Sequence, residues 1–216
     1  MPLWEHELRN AYVGEYFKAY YPFESDYKDA LWRSPDATPN STVIWLYGWV
    51  NCLNFNNSYA YIDWIYNLNR AEEYTLCAWV YVNSHVWINY YGNANWAGSW
   101  FEVYSSSTGW VRWWNPTNTQ TSLSWVGSWW HLLAQVWVVG WAGNWVVDWV
   151  WTTKVASWLV ATWNTTNQLN IWALCATWPV LANNGYISKL IIENRAWTQQ
   201  EMTDYYNQTK WDYGIS

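Results

Sequence analysis

Charged side chains are scarce in this chain of 216 residues, making up 12% of it against the ~25% usual for globular proteins. The 10 Lys and Arg are outnumbered by 16 Asp and Glu, giving a formal net charge of −6. Because phosphate binding needs clustered basic residues, no nucleic-acid partner is expected. No apolar run reaches the ~18 residues of a membrane span. The N-terminus lacks the basic and apolar regions of a signal peptide, so the sequence predicts neither a membrane span nor an export signal.

Cysteine is also scarce, and its three copies form no recognisable motif. Cys52, Cys77 and Cys175 are widely spaced and include no C-x-x-C pair of the kind used for zinc binding or redox chemistry. Each lies in an apolar run. We therefore interpret the three cysteines as small buried hydrophobic residues, in a fold that does not depend on disulfides.

Catalytic motifs are missing as well. Glycosidases need two carboxylates on either side of the scissile bond, yet the acid pairs Glu5/Glu7 and Glu24/Asp26 are better explained by solvated arm or loop positions. The three histidines are scattered, and His131 is expected to pack rather than to act as a base. No Ser-His-Asp order, phosphate loop or HExxH motif is present. The chain is therefore not expected to be an enzyme.

Calcium is the one metal that the sequence leaves open. Asp63 and Asp148 are candidate ligands by position, helped by amide or backbone oxygens. Both are isolated acids with no D-x-D-x-D cluster around them. A turn-capping or solvated role is favoured for each, so the prediction includes no metal and no cofactor.

What the chain has in quantity is aromatic residues, 22% of the total with 26 Trp, arranged in short alternating segments. The strongest strand signal is residues 73–82, where Thr75, Cys77, Trp79 and Tyr81 alternate with Leu76, Ala78, Val80 and Val82. Turn residues separate the segments at ~10-residue spacing, which is typical of a sandwich or barrel. Other strands are predicted at 15–23, 42–46, 51–55, 59–63, 86–91, 99–104, 109–114, 119–125, 130–134, 144–153, around Ile171 and at 185–193, with a loop at 29–41.

The C-terminal part predicts a strand followed by a short helix. Thr198 is a good N-cap, and Glu201 stands three residues later, at the spacing of a capping box. Trp197 and Met202 are placed to form a hydrophobic staple around that cap. A helix over residues 198–208 is therefore expected to pack outside the sheets, with strand 15–23 near strand 185–193.

Several motifs in order resemble a known family. The segment GYISKLIIENRAWTQQEM, the strand EYTLCAWV and the strand WHLLA resemble the laminin-G-like jelly rolls of the concanavalin A-like lectin/glucanase superfamily, over about residues 16 to 210. The resemblance implies an all-β, two-sheet antiparallel jelly-roll sandwich with a short C-terminal helix. Residues 16–216 would form this domain and residues 1–15 an N-terminal arm or short helix. The E-x-D-x-E run of the family's glycosidases is absent.

The C-terminal tail, Tyr206 to Lys210 followed by Asp212 to Ile215, resembles the ending of jelly rolls common in phage structural proteins, and this resemblance implies a setting. We expect a non-catalytic virion decoration or fibre module, assembled in the host cytoplasm and released in a particle. Its partners would be other virion proteins or copies of itself, and in addition a cell-surface glycan. A secreted carbohydrate-binding module is the first alternative, and a glycoside-active enzyme is the second.

A glycan site is predicted in the segment from His85 to Phe101, where aromatic planes and Asn amides lie on neighbouring turns. Sugar rings stack on aromatic faces, and amides bond their hydroxyls. Ordinary sandwich core plus loop remains the competing interpretation of the segment. The predicted ligand-binding residues are Trp87, Tyr90, Tyr91, Asn93, Asn95 and Trp96.

Overall fold

The fold is a sandwich of two antiparallel β-sheets with one short C-terminal helix, which confirms the predicted fold class. The computed structural model describes residues 17–31, 36–56, 58–63, 73–82, 88–93, 101–105, 110–113, 121–125, 129–138, 142–155, 168–171, 185–193 and 195–216. The predicted arm at residues 1–15 lies outside them. Within this part of the chain, no helix is long and apolar enough to cross a membrane.

The strands follow the chain in numerical order. They are β1 (Phe17–Tyr21), β2 (Thr38–Asn40), β3 (Val43–Tyr47), β4 (Val50–Phe55), β5 (Tyr59–Asp63), β6 (Tyr74–Val82), β7 (Ile88–Asn93), β8 (Phe101–Ser105), β9 (Trp110–Trp113), β10 (Thr121–Trp125), β11 (Trp130–Val138), β12 (Ala142–Val147), β13 (Val150–Val155), β14 (Gln168–Ile171) and β15 (Gly185–Glu193). The helix α1 (Gln199–Thr209) follows β15 and continues into a 3₁₀ turn, Lys210–Tyr213.

The first sheet has the order β13-β12-β11-β6-β15-β4-β3, and β1 also pairs with β15. The second sheet has the order β10-β9-β8-β7-β14-β5-β2. The antiparallel pairing of β1 with β15 confirms the predicted neighbourhood of those two segments. Because β6 and β15 lie in the middle of the first sheet, they carry its core on both faces.

Two predicted boundaries were wrong. The predicted strand at 144–153 is a hairpin, in which β12 and β13 are joined by a turn at Asp148 and Trp149. Asp148 takes the left-handed conformation (φ 57°), which aspartate tolerates better than a bulky residue. Its carboxylate also accepts a hydrogen bond from the Leu132 N–H at 3.0 Å, so local chemistry stabilises the turn. The other error is the short β2, which lies within the predicted loop 29–41.

Alternation in β6 places its side chains on two different cores. Leu76, Ala78 and Val80 face the second sheet and are fully buried in the core between the sheets. Cys77 and Trp79 point to the outer face of the first sheet and are equally buried there. A strand buried on both faces is expected to read as a nearly continuous apolar run, as this one does.

A β-bulge in β15 places apolar residues from both halves of the strand in the core between the sheets. Ile187, Leu190 and Ile192 all lie in the core between the sheets, although strict alternation would put Ile187 opposite the other two. The register shifts between Ser188 and Ile191, and Lys189 has a positive φ of 53°. The extra residue turns the second half of the strand over, so both halves bury their apolar side chains.

Helix α1 covers the outer face of the first sheet. Its capping box is present as predicted, with Thr198 and Glu201 exchanging hydrogen bonds between side chain and backbone. Met202, Tyr205 and Tyr206 are buried against the sheet together with Trp197. The helix therefore turns a sheet face that would otherwise meet water into a second core. At the end of this second core, beside the C-terminal turn, the chain forms a pocket.

Candidate functional site: an aromatic pocket

The predicted glycan segment is only partly described by the structure. Trp87, Asn95 and Trp96 lie outside the described residues. The backbones of Tyr90, Tyr91 and Asn93 belong to β7 in the second sheet, where Tyr91 pairs with Val103 of β8 and Ile171 of β14. This site remains a prediction.

The structure shows a different concave site on the outer face of the first sheet, beside the end of α1. It is a pocket of about 290 Å³ in which six of the nine lining residues are aromatic. The lining residues are Tyr47, Gly48, Trp49, Val50, Tyr81, Trp129, Trp130, Tyr213 and Gly214. We call it the outer-face pocket.

Strand ends and turns bring these residues together. Tyr47 ends β3 and Val50 begins β4, so the hairpin turn at Gly48 and Trp49 projects from the sheet at the pocket. Tyr81 of β6 pairs directly with Trp130 of β11, so both side chains rise from the same face. Antiparallel pairing aligns the end of one strand with the start of the next, and it therefore collects residues that are distant in sequence.

The C-terminal turn forms the remaining wall. Tyr213 stacks on the buried Trp79 at a centroid distance of 4.2 Å and lies 4.9 Å from the ring of Trp130. The Nε1–H of Trp49 donates to the backbone oxygen of Asp212. This hydrogen bond ties the β3–β4 turn to the C-terminal turn, so the pocket is built jointly by the sheet and by the residues after α1.

Three tyrosines form a second aromatic group on one side of the pocket. Tyr47 stacks on Tyr186 at 4.4 Å between ring centroids and lies 4.8 Å from the ring of Tyr81. Burial, together with the hydrogen bond and charge interaction with Tyr47, raises the pKa of Tyr81 to about 12. The Tyr81 hydroxyl therefore stays protonated at neutral pH and serves as a hydrogen-bond donor or acceptor.

The wall of the pocket is aromatic and uncharged. None of the nine lining residues is Asp, Glu, His, Lys, Arg or Cys, so the described wall offers phenol hydroxyls and ring faces. Two exposed indoles stand at its mouth, with Trp49 exposed to 70% and Trp129 to 52%. Aromatic rings with a polar tip suit a ligand that has both apolar faces and hydroxyls.

The acids and cysteines considered as candidates take structural positions where they are described. Asp148 accepts the Leu132 N–H and lies 3.0 Å from Nδ1 of His131, so its carboxylate closes a hairpin turn. Only the backbone of Asp63, in β5, is described. Cys52 and Cys77 are free and buried, as interpreted from their apolar surroundings, and burial raises the pKa of the Cys52 thiol to about 12. Cys175 lies outside the described residues.

Sequence reasoning did not find the outer-face pocket. In the sequence Tyr81 and Trp130 are predicted only as strand residues, and Gly214 lies in the C-terminal tail that resembles the ending of phage jelly rolls. Trp49 and Trp129 carry no motif. The available signal was weak. Aromatic residues stand at the ends of predicted strands, and a glycine closes the 3₁₀ turn with a positive φ of 72°.

Gly214 fits tightly between the C-terminal turn and the indole at the mouth. A Cβ added there would lie 3.2 Å from the ring of Trp49, whereas one added at Gly48 would meet nothing within 4 Å. Both glycines have positive φ, so alanine at either position costs about 1 kcal/mol in backbone strain. Gly214→Ala is therefore expected to lower the free energy of unfolding more than Gly48→Ala, and it alone should displace Trp49. Urea unfolding and near-ultraviolet circular dichroism measure both effects. Identical stabilities and spectra for the two variants would contradict this account.

The fold and the pocket together define a class: an antiparallel β-sandwich with an aromatic-lined recess on one face. Comparison with solved structures gives relatives of the same fold. The chain is similar to the binding domain of Paraclostridial Mosquitocidal Protein 1, with a TM-score of 0.72 and 11% identity, covering 91% of this chain and 53% of that one. It is also similar to domain 4 of AbnA, a GH43 extracellular arabinanase from Geobacillus stearothermophilus solved in complex with arabinotriose. That match has a TM-score of 0.69 and 17% identity, and it covers 88% of this chain and 98% of that one.

A third similar structure belongs to botulinum neurotoxin type C, whose cell entry is described as dependent on interaction with two ganglioside molecules. It has a TM-score of 0.72 and 8% identity, and the match covers 92% of this chain and 52% of that one. The chain thus spans about half the length of the toxin chains. At these identities the likeness shows the fold. No protein-family model and no curated protein matches the sequence.

Proposed function

We propose that the protein is a non-catalytic glycan-binding module and that the outer-face pocket holds the sugar. The single observation that carries this proposal is the pocket wall, in which six of nine residues are Tyr or Trp and none is charged. Such a wall offers ring faces for stacking and phenol hydroxyls for hydrogen bonds. It offers no carboxylate or imidazole for acid-base chemistry.

The size of the pocket suits one sugar unit. Its volume of about 290 Å³ lies at the lower end of the ~300–1,000 Å³ found for small-molecule sites. A sugar ring has one or two faces made of C–H groups, which stack on an indole or phenol ring, while its edge hydroxyls need polar partners. Trp49 and Trp129, half or more exposed at the mouth, would contact the adjoining units of a longer chain.

The neighbours in fold support the same function. One similar domain was solved with arabinotriose bound, and another belongs to a toxin described as interacting with gangliosides. A shared fold does not fix a function, so these neighbours add to the argument from the pocket without replacing it. Membership of the concanavalin A-like superfamily is part of the proposal, because it rests on motif order.

The direct test is binding to a glycan array followed by titration calorimetry of the strongest oligosaccharide. Trp49→Ala removes the exposed indole at the mouth and is expected to weaken binding about tenfold, since stacking contributes ~1 kcal/mol or more. Trp149→Ala is the matched control, because Trp149 is also exposed, at 62%, and contacts the helix residue Tyr206 but does not line the pocket. Equal affinities for both variants would remove the pocket from the proposal. An array without any bound glycan would overturn the function.

A second candidate function is protein assembly, as expected for a virion component, and edge strand β3 favours it. Val43, Trp45 and Leu46 are each more than half exposed on a strand that ends the described order of the first sheet. An apolar edge without charges is a template for pairing with another strand. We propose a second copy of the chain as the occupant.

Sedimentation velocity at micromolar concentration tests this second candidate. Assembly through β3 predicts oligomers that dissociate in Trp45→Lys, because a charge on an edge strand opposes pairing. Trp211→Lys changes an equally exposed indole, at 61%, and should leave the oligomer intact. A monomeric wild-type chain would exclude self-assembly through this edge and leave glycan binding as the function.

A further inference from the structure

The charge of the pocket and its surroundings bears on which glycans the protein would select. Glycans fall into two broad chemical classes, neutral oligosaccharides and acidic ones carrying carboxylates or sulfates. An acidic sugar in a partly enclosed site needs a cation or several N–H donors, because a desolvated anion without partners costs several kcal/mol. Binding of an acidic sugar in the outer-face pocket would therefore require a cation within reach of it.

No such group lines the described wall: the nine lining residues include neither Lys, Arg nor His. Behind the C-terminal wall lies Lys189, whose Nζ is 5.7 Å from the centroid of the Tyr213 ring. That ammonium is already paired with the Asp212 carboxylate at 2.8 Å, and its side chain is only 10% exposed. It is buried behind the wall and neutralised there.

The remaining electrostatics also oppose an anion. The chain has a net charge of −6, so its field repels acidic ligands on approach. The Asp212 carboxylate, paired with Lys189, leaves no net positive charge beside the C-terminal wall. The Tyr81 hydroxyl stays protonated, because its pKa is raised to about 12. Apart from the paired Lys189, the C-terminal turn carries Lys210, whose Nζ lies 4.6 Å from the centroid of the Trp211 ring and which is not among the lining residues. The nine lining residues themselves are all uncharged.

We infer that the outer-face pocket selects neutral glycans and rejects acidic ones, including sialylated and uronic acid-containing chains. This inference rests on the proposed glycan-binding function and narrows it to one ligand class. In ligand class the protein would resemble the arabinanase domain solved with arabinotriose rather than the toxin that interacts with gangliosides, which are sialylated lipids. The selection of neutral glycans would follow from the absence of a cation in the wall, since a neutral sugar needs no cation to bind there.

The experiment uses the full chain and matched pairs of oligosaccharides that differ only in charge. The methyl ester of 3′-sialyllactose is compared with its free acid, and the methyl ester of trigalacturonic acid with its free acid. Titrations are run at 0.15 M salt, where the Debye length is ~8 Å and distant charges are screened. The neutral member of each bound pair is expected to bind at least about tenfold more tightly.

A charge added at the mouth supplies the control. Trp129 is 52% exposed, so Trp129→Arg is expected to fold while placing a guanidinium at the pocket. The variant should gain affinity for the acidic member of a pair relative to the neutral one. If the acidic member binds Trp129→Arg as poorly as it binds the wild-type chain, the missing cation is not the cause of selection and the inference fails.

The remaining outcomes separate the inference from the function on which it rests. Acidic members that bind the wild-type chain as tightly as their neutral partners would overturn neutral selection and leave glycan binding standing. Absence of binding to every member of every pair and to the array would overturn both.

Discussion

Replacing Trp79 with alanine should lower the free energy of unfolding by about 4 kcal/mol, because large-to-small changes at fully buried aromatic sites typically cost 3–5 kcal/mol. Trp79 is fully buried in the second core, between the first sheet and helix α1, which we call the outer-face core. It stacks on Tyr213 at 4.2 Å and on Tyr206 at 5.7 Å between centroids. Its Nε1–H donates to Oγ1 of Thr209 at 3.0 Å. One side chain thus joins the sheet, the helix and the C-terminal turn.

Two further variants separate the contributions of Trp79. Trp79→Phe keeps an aromatic ring but loses the hydrogen bond to Thr209, so it should cost roughly 1–2 kcal/mol. Trp149→Ala removes an exposed indole from the same face and should change stability by no more than about 0.5 kcal/mol. Urea unfolding followed by circular dichroism measures all three variants. A Trp79→Ala protein within 1 kcal/mol of the wild type would show that the outer-face core does not hold the fold together.

The second large effect is expected at Arg195, which joins β15 to the start of α1. Its Nε lies 3.0 Å from Oε1 of Glu193, and its Nη1 lies 2.8 Å from Oε1 of Glu201. Glu193 is almost fully buried, with 1% of its surface exposed, and also accepts the indole N–H of Trp197. Burial raises the pKa of Glu193 despite these partners. For Glu201 the loss of solvation on burial is outweighed by the hydrogen bonds from Arg195 and Thr198, so its pKa is lowered.

Arg195→Met should therefore destabilise the protein by about 2 kcal/mol at pH 7, since it leaves a buried carboxylate without its cation. The value is set below the 3–5 kcal/mol of fully buried pairs because Arg195 is partly exposed. Glu193→Gln in the same chain should recover most of the loss, because a neutral amide still accepts from Trp197. No recovery in the double variant would show that packing, rather than charge, explains the effect.

The pH dependence of this loss has a definite sign. A carboxyl whose folded-state pKa is raised contributes stability that is lost as pH rises through that pKa. Without Arg195 the folded-state pKa of Glu193 rises further. The variant therefore loses additional stability as the pH rises from the unfolded-state pKa to this higher folded-state pKa. A carboxyl with a lowered pKa, as Glu201 has, contributes stability above its unfolded-state pKa, and Arg195→Met reduces that contribution too. The deficit should accordingly be larger at pH 7 than at pH 4. A deficit that grows on acidification would contradict the assignment.

The fold was predictable because its local patterns agree with its tertiary structure. Alternation in β6 anticipated two apolar faces, and the structure uses both, with Ala78 between the sheets and Trp79 under the helix. The capping box at Thr198 fixed the start of α1 to within one residue. These signals depend on neighbours in sequence, which is the information that a single chain supplies directly.

Features that depend on tertiary pairing could not be predicted in this way. The bulge at Lys189 has no signature in the sequence of β15, because a strand pattern is compatible with Ile187 on either face of the sheet. The hairpin at Asp148 falls within the strand predicted at 144–153, because apolar residues continue on both sides of the turn, although Asp148 and Trp149 occupy the place of a hairpin turn in the family that the chain resembles.

The outer-face pocket is the extreme case. It combines the β3–β4 turn, the end of β6, the start of β11 and the C-terminal turn, and Trp49 lies 163 positions before its hydrogen-bond partner Asp212. Only the strand order brings these parts together, and no local pattern encodes that order. Sequence reasoning predicted a glycan site in the segment from His85 to Phe101, around β7, and that site stays a prediction.

The most direct test of the central claim is a crystal structure of the chain with the oligosaccharide that binds most tightly on the array. The account predicts a sugar ring in the outer-face pocket, in van der Waals contact with Trp49 or Trp129 and with a hydroxyl bonded to a tyrosine of the wall. A sugar bound against β7, at Tyr90 and Tyr91, with the outer-face pocket empty would contradict it and restore the site expected from the sequence.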